Sequence, residues 1–391
     1  MTLITTTDAL ADACAQLRQA PYATIDTEFI RESTYWPILC VAQIGGEAGA
    51  WAVDALAPGL DLTPLLDLLV DPAVLKVFHA GRQDVEIFLQ LSGREPTPMF
   101  DTQVAAMVCG YGESVSYETL VSSLAQATLD KHSRFTDWRQ RPLTERQIKY
   151  ALGDIIYLCT VYEKLAAQLE ATGRAQWVAE EMAALTDAAM YVTEPEHAWQ
   201  RIRVRTSEPR FLQLLRELAA WREREARSRD LARNRILKDE ALIGVAANPP
   251  GDRDELARIR GVSKGIAEGP QGARILEAVA RALAVPKDRL PPRHKPKKTV
   301  AGIQGMVQLL RVLLKAKCEE HGVAQQLVAG RENLEALASG ETEGIDALSG
   351  WRRDVFGADA IRLLSGDVAL ATQGGAIVLV PLDAPARRAA N

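Results

Sequence analysis

Five residues of this 391-residue chain have types and spacings that could do chemistry together. Asp26 and Glu28 lie two apart in Ala23-Thr24-Ile25-Asp26-Thr27-Glu28-Phe29-Ile30, a run that reads as a strand. Side chains alternate along a strand, so both carboxylates share one face while Ile25, Thr27 and Phe29 take the other. Two acids on one face of an apolar strand repel each other and favour partial protonation, a conflict that a divalent cation between them removes. A solvent-facing strand surface is the plainer account of two such acids taken alone. Asp84 follows a short apolar run and stands at the start of a helical pattern, where a carboxylate commonly acts as a cap. Thr144-Glu145-Arg146-Gln147 has the layout of a capping box, which predicts a helix from Glu145. Tyr150 and Asp154 then fall at i and i+4, side by side on one face. A phenol one turn from a carboxylate can hold a water between a metal ligand and a substrate. With an ordinary pKa of about 10, it orients that water more than it deprotonates it. A metal ion would lower the water's pKa instead.

The elements that must position these groups are legible in outline. Tyr22 to Ile30, Ile38 to Ile44 and Ala50 to Val53 read as strands, with Gly45-Gly46 as a turn, and Val74 to His79 is a fourth apolar run. Helical patterns cover Asp84 to Leu91, Met99 to Val108, Tyr117 to Leu124 and Glu145 to Leu169. Strands followed by strand–helix alternation argue for an α/β unit, a mixed sheet flanked by helices. From about Arg205 the chain is nearly all helical, with Phe211, Leu214, Leu215 and Leu218 marking one apolar face. Asn248-Pro249-Pro250-Gly251 interrupts the pattern and Asp254 to Ile259 resumes it. Pro286 to Lys298, with four prolines and six Lys/Arg against one Asp, reads as an extended cationic linker. A second helical block begins at Val307, Leu310 and Leu314 and ends near Leu364. Its Leu348-Ser349-Gly350-Trp351-Arg352 echoes Leu256-Ala257-Arg258-Ile259-Arg260-Gly261, which suggests a repeated small domain. Val368 to Pro381, with Gly374-Gly375 in its middle, predicts a hairpin.

In their joint order these residues resemble the ribonuclease D family, in the tyrosine-bearing branch of the DEDD exonucleases. Asp26 and Glu28 match the first motif, Asp84 the second, and Tyr150 with Asp154 the third. Leu129-Asp130-Lys131 and Thr136 to Leu143 resemble the segment leading into that third motif. Trp221-Arg222-Glu223, Arg233-Asn234-Arg235, Lys238-Asp239-Glu240 and Leu256 to Val262 resemble an HRDC domain, with a more degenerate copy from about Ile303 to Leu370. The resemblance implies an α/β ribonuclease H-like 3′-5′ exonuclease domain over residues 1–200. Two small all-α HRDC-like domains would follow over 205–290 and 299–370, then a C-terminal tail over 371–391. It also implies two divalent metal ions, Mg²⁺ or Mn²⁺, held by Asp26, Glu28, Asp84 and Asp154, with Tyr150 positioning the attacking water. One ion would activate that water and the other stabilise the leaving 3′ oxygen, releasing nucleoside 5′-monophosphates one at a time. The implied substrate is RNA, in particular the 3′ ends of transfer-RNA precursors.

Further residues could contact such a strand. Phe29 and Tyr35 could stack on terminal bases, although core packing serves Phe29 equally well. His79 ends a strand near the site, where a hydrogen-bonded core histidine is the plainer reading. Lys131, Arg139 and Arg141 could hold the substrate backbone, and Asp101 reads as another helix cap. A DNA-directed 3′-5′ exonuclease would share the same metal site. An inactive nucleic-acid-binding scaffold would be expected to lack a carboxylate, and all four are present.

Composition sets the outer bounds. The 47% apolar and 25% charged content are those of a globular protein, and the length predicts two or three domains. No apolar run approaches the roughly 18 residues that span a bilayer. The first residues lack the layout of a secretion signal, so a cytoplasmic protein is expected, and a monomer is expected because the HRDC-like modules can close over the site within one chain. The five cysteines are scattered, with no pair at zinc-ligand spacing, and read as reduced thiols. The net charge of −5 divides into −14 over residues 1–200 and +9 over 201–391. That division assigns polyanion binding mainly to the second half, unless solvated helix faces merely differ in sign.

Overall fold

The computed structural model describes residues 2–129, 136–292 and 303–382. Six strands form one mixed sheet: β1 (Thr2–Ile4), β2 (Tyr22–Ile30), β3 (Ile38–Gly46), β4 (Gly49–Asp54), β5 (Leu75–Phe78) and β6 (Met99–Asp101). Their order is β1-β4-β3-β2-β5-β6. β2 is therefore central, antiparallel to β3 and parallel to β5. Seven helices accompany the sheet: α1 (Thr7–Leu17), α2 (Thr63–Leu69), α3 (Arg82–Ser92), α4 (Thr102–Val108), α5 (Tyr117–Leu120), α6 (Glu145–Thr172) and α7 (Ala175–Leu185). The predicted capping box starts α6, with Thr144 and Gln147 capping each other reciprocally.

α6 lies across the sheet and buries Ala151, Leu152, Ile155, Leu158, Val161, Leu165 and Leu169 at helical spacing. Each large apolar side chain among them contributes about 1.5–3 kcal/mol. Gly45 lets the helix come this close, because a Cβ there would stand 2.9 Å from Thr24 Oγ1 and 3.1 Å from Ile155 Cδ1. The expected turn at Gly45-Gly46 is instead the end of β3, and the glycines serve packing. Met99 to Asp101 likewise pairs with β5 as a strand instead of opening a helix. The pattern over Tyr117 to Leu124 holds one α-helical turn and then a wider π turn, Val121–Ala125.

The rest of the chain builds two further cores. The first gathers around α8 (Pro209–Ser228) and runs to the helix Pro270–Ala284, with Leu215, Leu218, Leu242, Leu256 and Ile275 buried. The second gathers around the helix Ile303–His321, with Leu310, Leu314, Leu337 and Phe356 buried. Of the expected linker, Lys287–Arg289 forms a single turn, and residues 293–302 lie outside the described residues. The predicted hairpin is present as β7 (Val368–Gln373) and β8 (Ala376–Pro381). Gly374 and Gly375 have φ of 60° and 83°, as a two-residue turn with both central residues left-handed requires. All five cysteines are free thiols. No helix among the described residues is long and apolar enough to cross a membrane.

Candidate active site

β2 and α6 bring the first and third acidic motifs together. One carboxylate oxygen from each of Asp26, Glu28 and Asp154 lies within 4.8 Å of the others. They line a cavity of about 440 Å³ whose wall also holds Tyr150, His79, Gln103, Tyr117 and Leu129. Burial raises the pKa of Asp26 well above its usual value, and the charges of Asp84, Asp154 and Glu28 push it the same way. The repulsion inferred from spacing is thus a property of the folded site. Oxygen donors alone, crowded and negative, suit a hard divalent cation.

The second motif takes a different position. α3 is capped at Gly81, and Asp84, in its first turn, is buried at 6% exposure and accepts the hydroxyl hydrogen of Thr27. Burial pushes its pKa up to about 6. Asp84 therefore adjoins Asp26 electrostatically without belonging to the tight trio. The turn before α3 is fixed from β6. Asp101 caps α4 through the amides of Gln103 and Val104, as expected, and also accepts the amides of Ala80 and Gly81 at 3.1 and 2.8 Å. Gly81 has no room for a side chain, since a Cβ would stand 2.6 Å from Phe78 Cβ.

Tyr150 shares the cavity with Asp154 and packs against Trp138, ring centroids 6.0 Å apart. His79 is in the wall, its Nδ1 3.0 Å from Thr102 Oγ1, and burial lowers its pKa against the opposing charge of Asp101. Phe29 packs against the sheet core. Tyr35 faces away from the site. It is buried between the exonuclease unit and α8, with its hydroxyl donating to Glu223 and accepting from Arg227 and Arg233. Arg139 is exposed and pairs with Asp137. Arg141 turns inward, forking onto Asp54 at 2.6–2.9 Å and donating to the carbonyls of Cys40 and Trp138. It fastens the segment before α6 to β3 and β4. Lys131 lies outside the described residues.

Three neighbours have no signature in the sequence. Thr27 steadies Asp84 although the alternation of β2 sends it to the other face. Tyr117 donates to the carbonyl of Gly153 at 3.3 Å, next to Asp154, and burial with the charges of Asp154 and Asp26 keeps it protonated. Gln43 stands opposite Asp26 in the β2–β3 register, so the two share a face. Its amide is buried with no hydrogen-bond partner among the described residues. Only Gln43's register partner could have marked it, and pairing is not written in either strand.

Known proteins share both the sequence pattern and this backbone. A 3′-5′ exonuclease family model matches residues 1–170, and an HRDC domain model matches residues 211–279. The chain is 51% identical to the ribonuclease D of Granulibacter bethesdensis and 51% identical to that of Gluconacetobacter diazotrophicus. Each match covers 97% of this chain and 96% of the relative. The crystal structure of Escherichia coli RNase D, described as an exoribonuclease involved in structured RNA processing, superposes with a TM-score of 0.82 at 34% identity. That match spans 93% of this chain and 98% of the other. Identity on this scale over nearly the whole length, on the same backbone, places the chain in the ribonuclease D family of 3′-5′ exoribonucleases.

Proposed function

We propose that the chain removes extra nucleotides from the 3′ ends of transfer-RNA precursors, releasing nucleoside 5′-monophosphates. Asp26, Glu28, Asp84 and Asp154 would hold two divalent ions, Mg²⁺ or Mn²⁺, as an all-oxygen donor set. The observation that carries this reading is the convergence of Asp26, Glu28 and Asp154 within 4.8 Å, with the charge on Asp26 opposed by its neighbours. The orphaned Gln43 amide beside Asp26 adds a polar group suited to an ordered water at such a centre. When bound, the ions supply acidification of the attacking water and screening of the charge that builds on the scissile phosphate.

The chain's own residues do the positioning. Tyr150 orients the attacking water from the helix that carries Asp154. Thr27 fixes the carboxylate of Asp84. His79 offers a hydrogen-bonding edge in the wall. Lys131, Arg139 and Phe29 are the proposed substrate contacts. Tyr35 and Arg141, engaged by internal partners, support the site from behind. The net positive second half of the chain supports a grip on a folded RNA body while the 3′ tail enters the cavity. The helical unit after residue 303 repeats the helix order of the HRDC unit, 19, 4 and 8 residues against 20, 4 and 9. We read it as a second module of the same kind. Both modules dock within one chain, which supports a monomer, and trimming of transfer-RNA precursors would place it in the cytoplasm.

The test is a 5′-labelled, 3′-extended transfer RNA and a matched DNA strand, incubated with Mg²⁺, Mn²⁺ or chelator. Single-nucleotide steps on RNA are expected, lost in chelator and reduced by about 10³-fold or more in Asp154→Asn. Equal trimming of DNA would make the enzyme indifferent to the sugar. RNA that is bound but left intact by the wild-type protein would sink the catalytic reading.

A further inference from the structure

A cavity of about 420 Å³ that the carboxylate site does not use lies between the exonuclease unit and the first helical unit. Arg31, Arg82, Arg201, Arg227 and Arg233 line it against a single acid, Glu86. Arg31 forks onto Glu86 with both contacts at 2.7 Å. Arg233 forks onto buried Glu223, and Arg227 and Arg233 both donate to the Tyr35 hydroxyl. Counting Asp230, which accepts the amides of Tyr35 and Trp36, three carboxylates answer five guanidinium groups, so the seam stays net positive although it borders the acidic half of the chain. Arg82 and Arg201 are exposed, and neither has an ion pair or hydrogen bond among the described residues. The same cavity has aromatic walls. Trp36 stands half-buried, edge-on to Tyr35 with ring centroids 4.7 Å apart, and Tyr191 lines the cavity as well. Free guanidinium forks beside an aromatic wall suit a phosphate with a base attached.

The two cavities are neighbours along the chain. Ala80 lines the active-site cavity, and Arg82, two residues later, lines this one. Arg31 follows Glu28 by three residues of extended chain, roughly 10 Å. At about 3.4 Å per stacked nucleotide, that is a reach of roughly three nucleotides. We propose that this seam is an upstream subsite for the single-stranded part of the RNA substrate, where Arg82 and Arg201 hold backbone phosphates and Trp36 receives a base. The subsite rests on the exoribonuclease reading of the carboxylate site, so binding and turnover are tested separately.

Binding is measured in chelator, where nothing is cut, with a fluorescent single-stranded RNA of about ten nucleotides across a salt series. Each phosphate contact contributes about 0.7 to the slope of log Kd against log salt, so Arg82→Ala/Arg201→Ala should flatten it by about 1.4. In turnover, the double variant should raise KM for that RNA by about ten-fold with kcat unchanged. A dinucleotide is too short to reach the seam and should keep wild-type KM and kcat. An unchanged salt slope, or a KM that rises equally on the dinucleotide, overturns the subsite. A nucleoside 5′-monophosphate that binds the wild type as tightly as the oligonucleotide, and loses that affinity in the variant, would make the seam a mononucleotide site and overturn it too. A wild-type protein that trims nothing would sink the catalytic reading, while the salt slope would still decide the seam.

Discussion

Asp26 and Tyr150 show how far single residues reach. Asp26 is costly where it stands, half-buried and facing three other carboxylates, a cost that fits the ligand position proposed for it. Tyr150 is different: its proposed role comes from standing one turn before Asp154 and against Trp138. If it orients water without taking the proton, Tyr150→Phe should lower kcat by about 10- to 100-fold and leave KM nearly unchanged. Mn²⁺ is expected to raise the melting temperature of the wild type, and the rise should survive in this variant, because no carboxylate is removed. Loss of that thermal shift would instead make Tyr150 part of the metal-holding framework.

At the level of elements, the decisive piece is β5 with the turn that follows it. The turn must deliver Asp84 beside β2, and β5 is held at both ends, by Asp101 at the turn and by Lys76 where the strand begins. Asp101 binds the Ala80 and Gly81 amides from β6. Lys76, fully buried in β5, donates to the carbonyls of Asp71 and Thr97 at 2.7 and 2.6 Å. Burial lowers the pKa of Lys76 to about 8, partly offset by Asp71. The folded state therefore releases this proton before the unfolded state does. Below about pH 8 both states are charged and the fold carries the full desolvation cost. Between about 8 and about 10.5 only the unfolded state holds the proton, so stability from this group rises with pH. Chemical denaturation of wild type and Lys76→Met across that interval should show the difference moving in favour of the wild type, by up to about 3 kcal/mol. A constant difference would mean that Lys76 is already neutral, or solvated, below pH 8.

Over the whole molecule, both helical units are fastened to the exonuclease unit, but by different chemistry. The first is joined through a buried polar knot, in which Arg233, Tyr35 and Arg227 outweigh burial and hold the Glu223 carboxyl below its usual pKa. The second is joined through α7, where Trp177 stacks on Trp351 at 4.4 Å and 9° and Arg352 pairs with Glu181. Close backbone contact adds to it, since a Cβ on Gly110 would stand 2.6 Å from the carbonyl oxygen of Gly322. Trp177→Ala should cost about 3–5 kcal/mol at that junction. Calorimetry should then resolve a separate, earlier transition for residues 303–382, with trimming of short RNA retained. One unchanged cooperative transition would show that the stack does not couple the two units.

The sequence alone determined the parts that depend on local rules. Alternation along β2 put Asp26 and Glu28 on one face, the capping box set the start of α6, and i, i+4 spacing joined Tyr150 to Asp154. Each of these is a statement about a few neighbouring residues. Tertiary structure decided what depends on residues far apart in the chain. It made Met99–Asp101 a strand, because β5 offered an edge, and put Gly45-Gly46 inside β3, because α6 needed the space. It turned Arg141 onto Asp54, 87 residues away, and buried Tyr35 against Glu223, 188 residues away. Neither partner is visible from its own neighbourhood, since an arginine or tyrosine beside an acidic motif looks the same whether it meets a substrate or another element. Spacing alone left the five candidate residues as separate weak signals that only their resemblance to a family drew together, and whether the surrounding arginines and tyrosines meet another element of the fold was decided by packing.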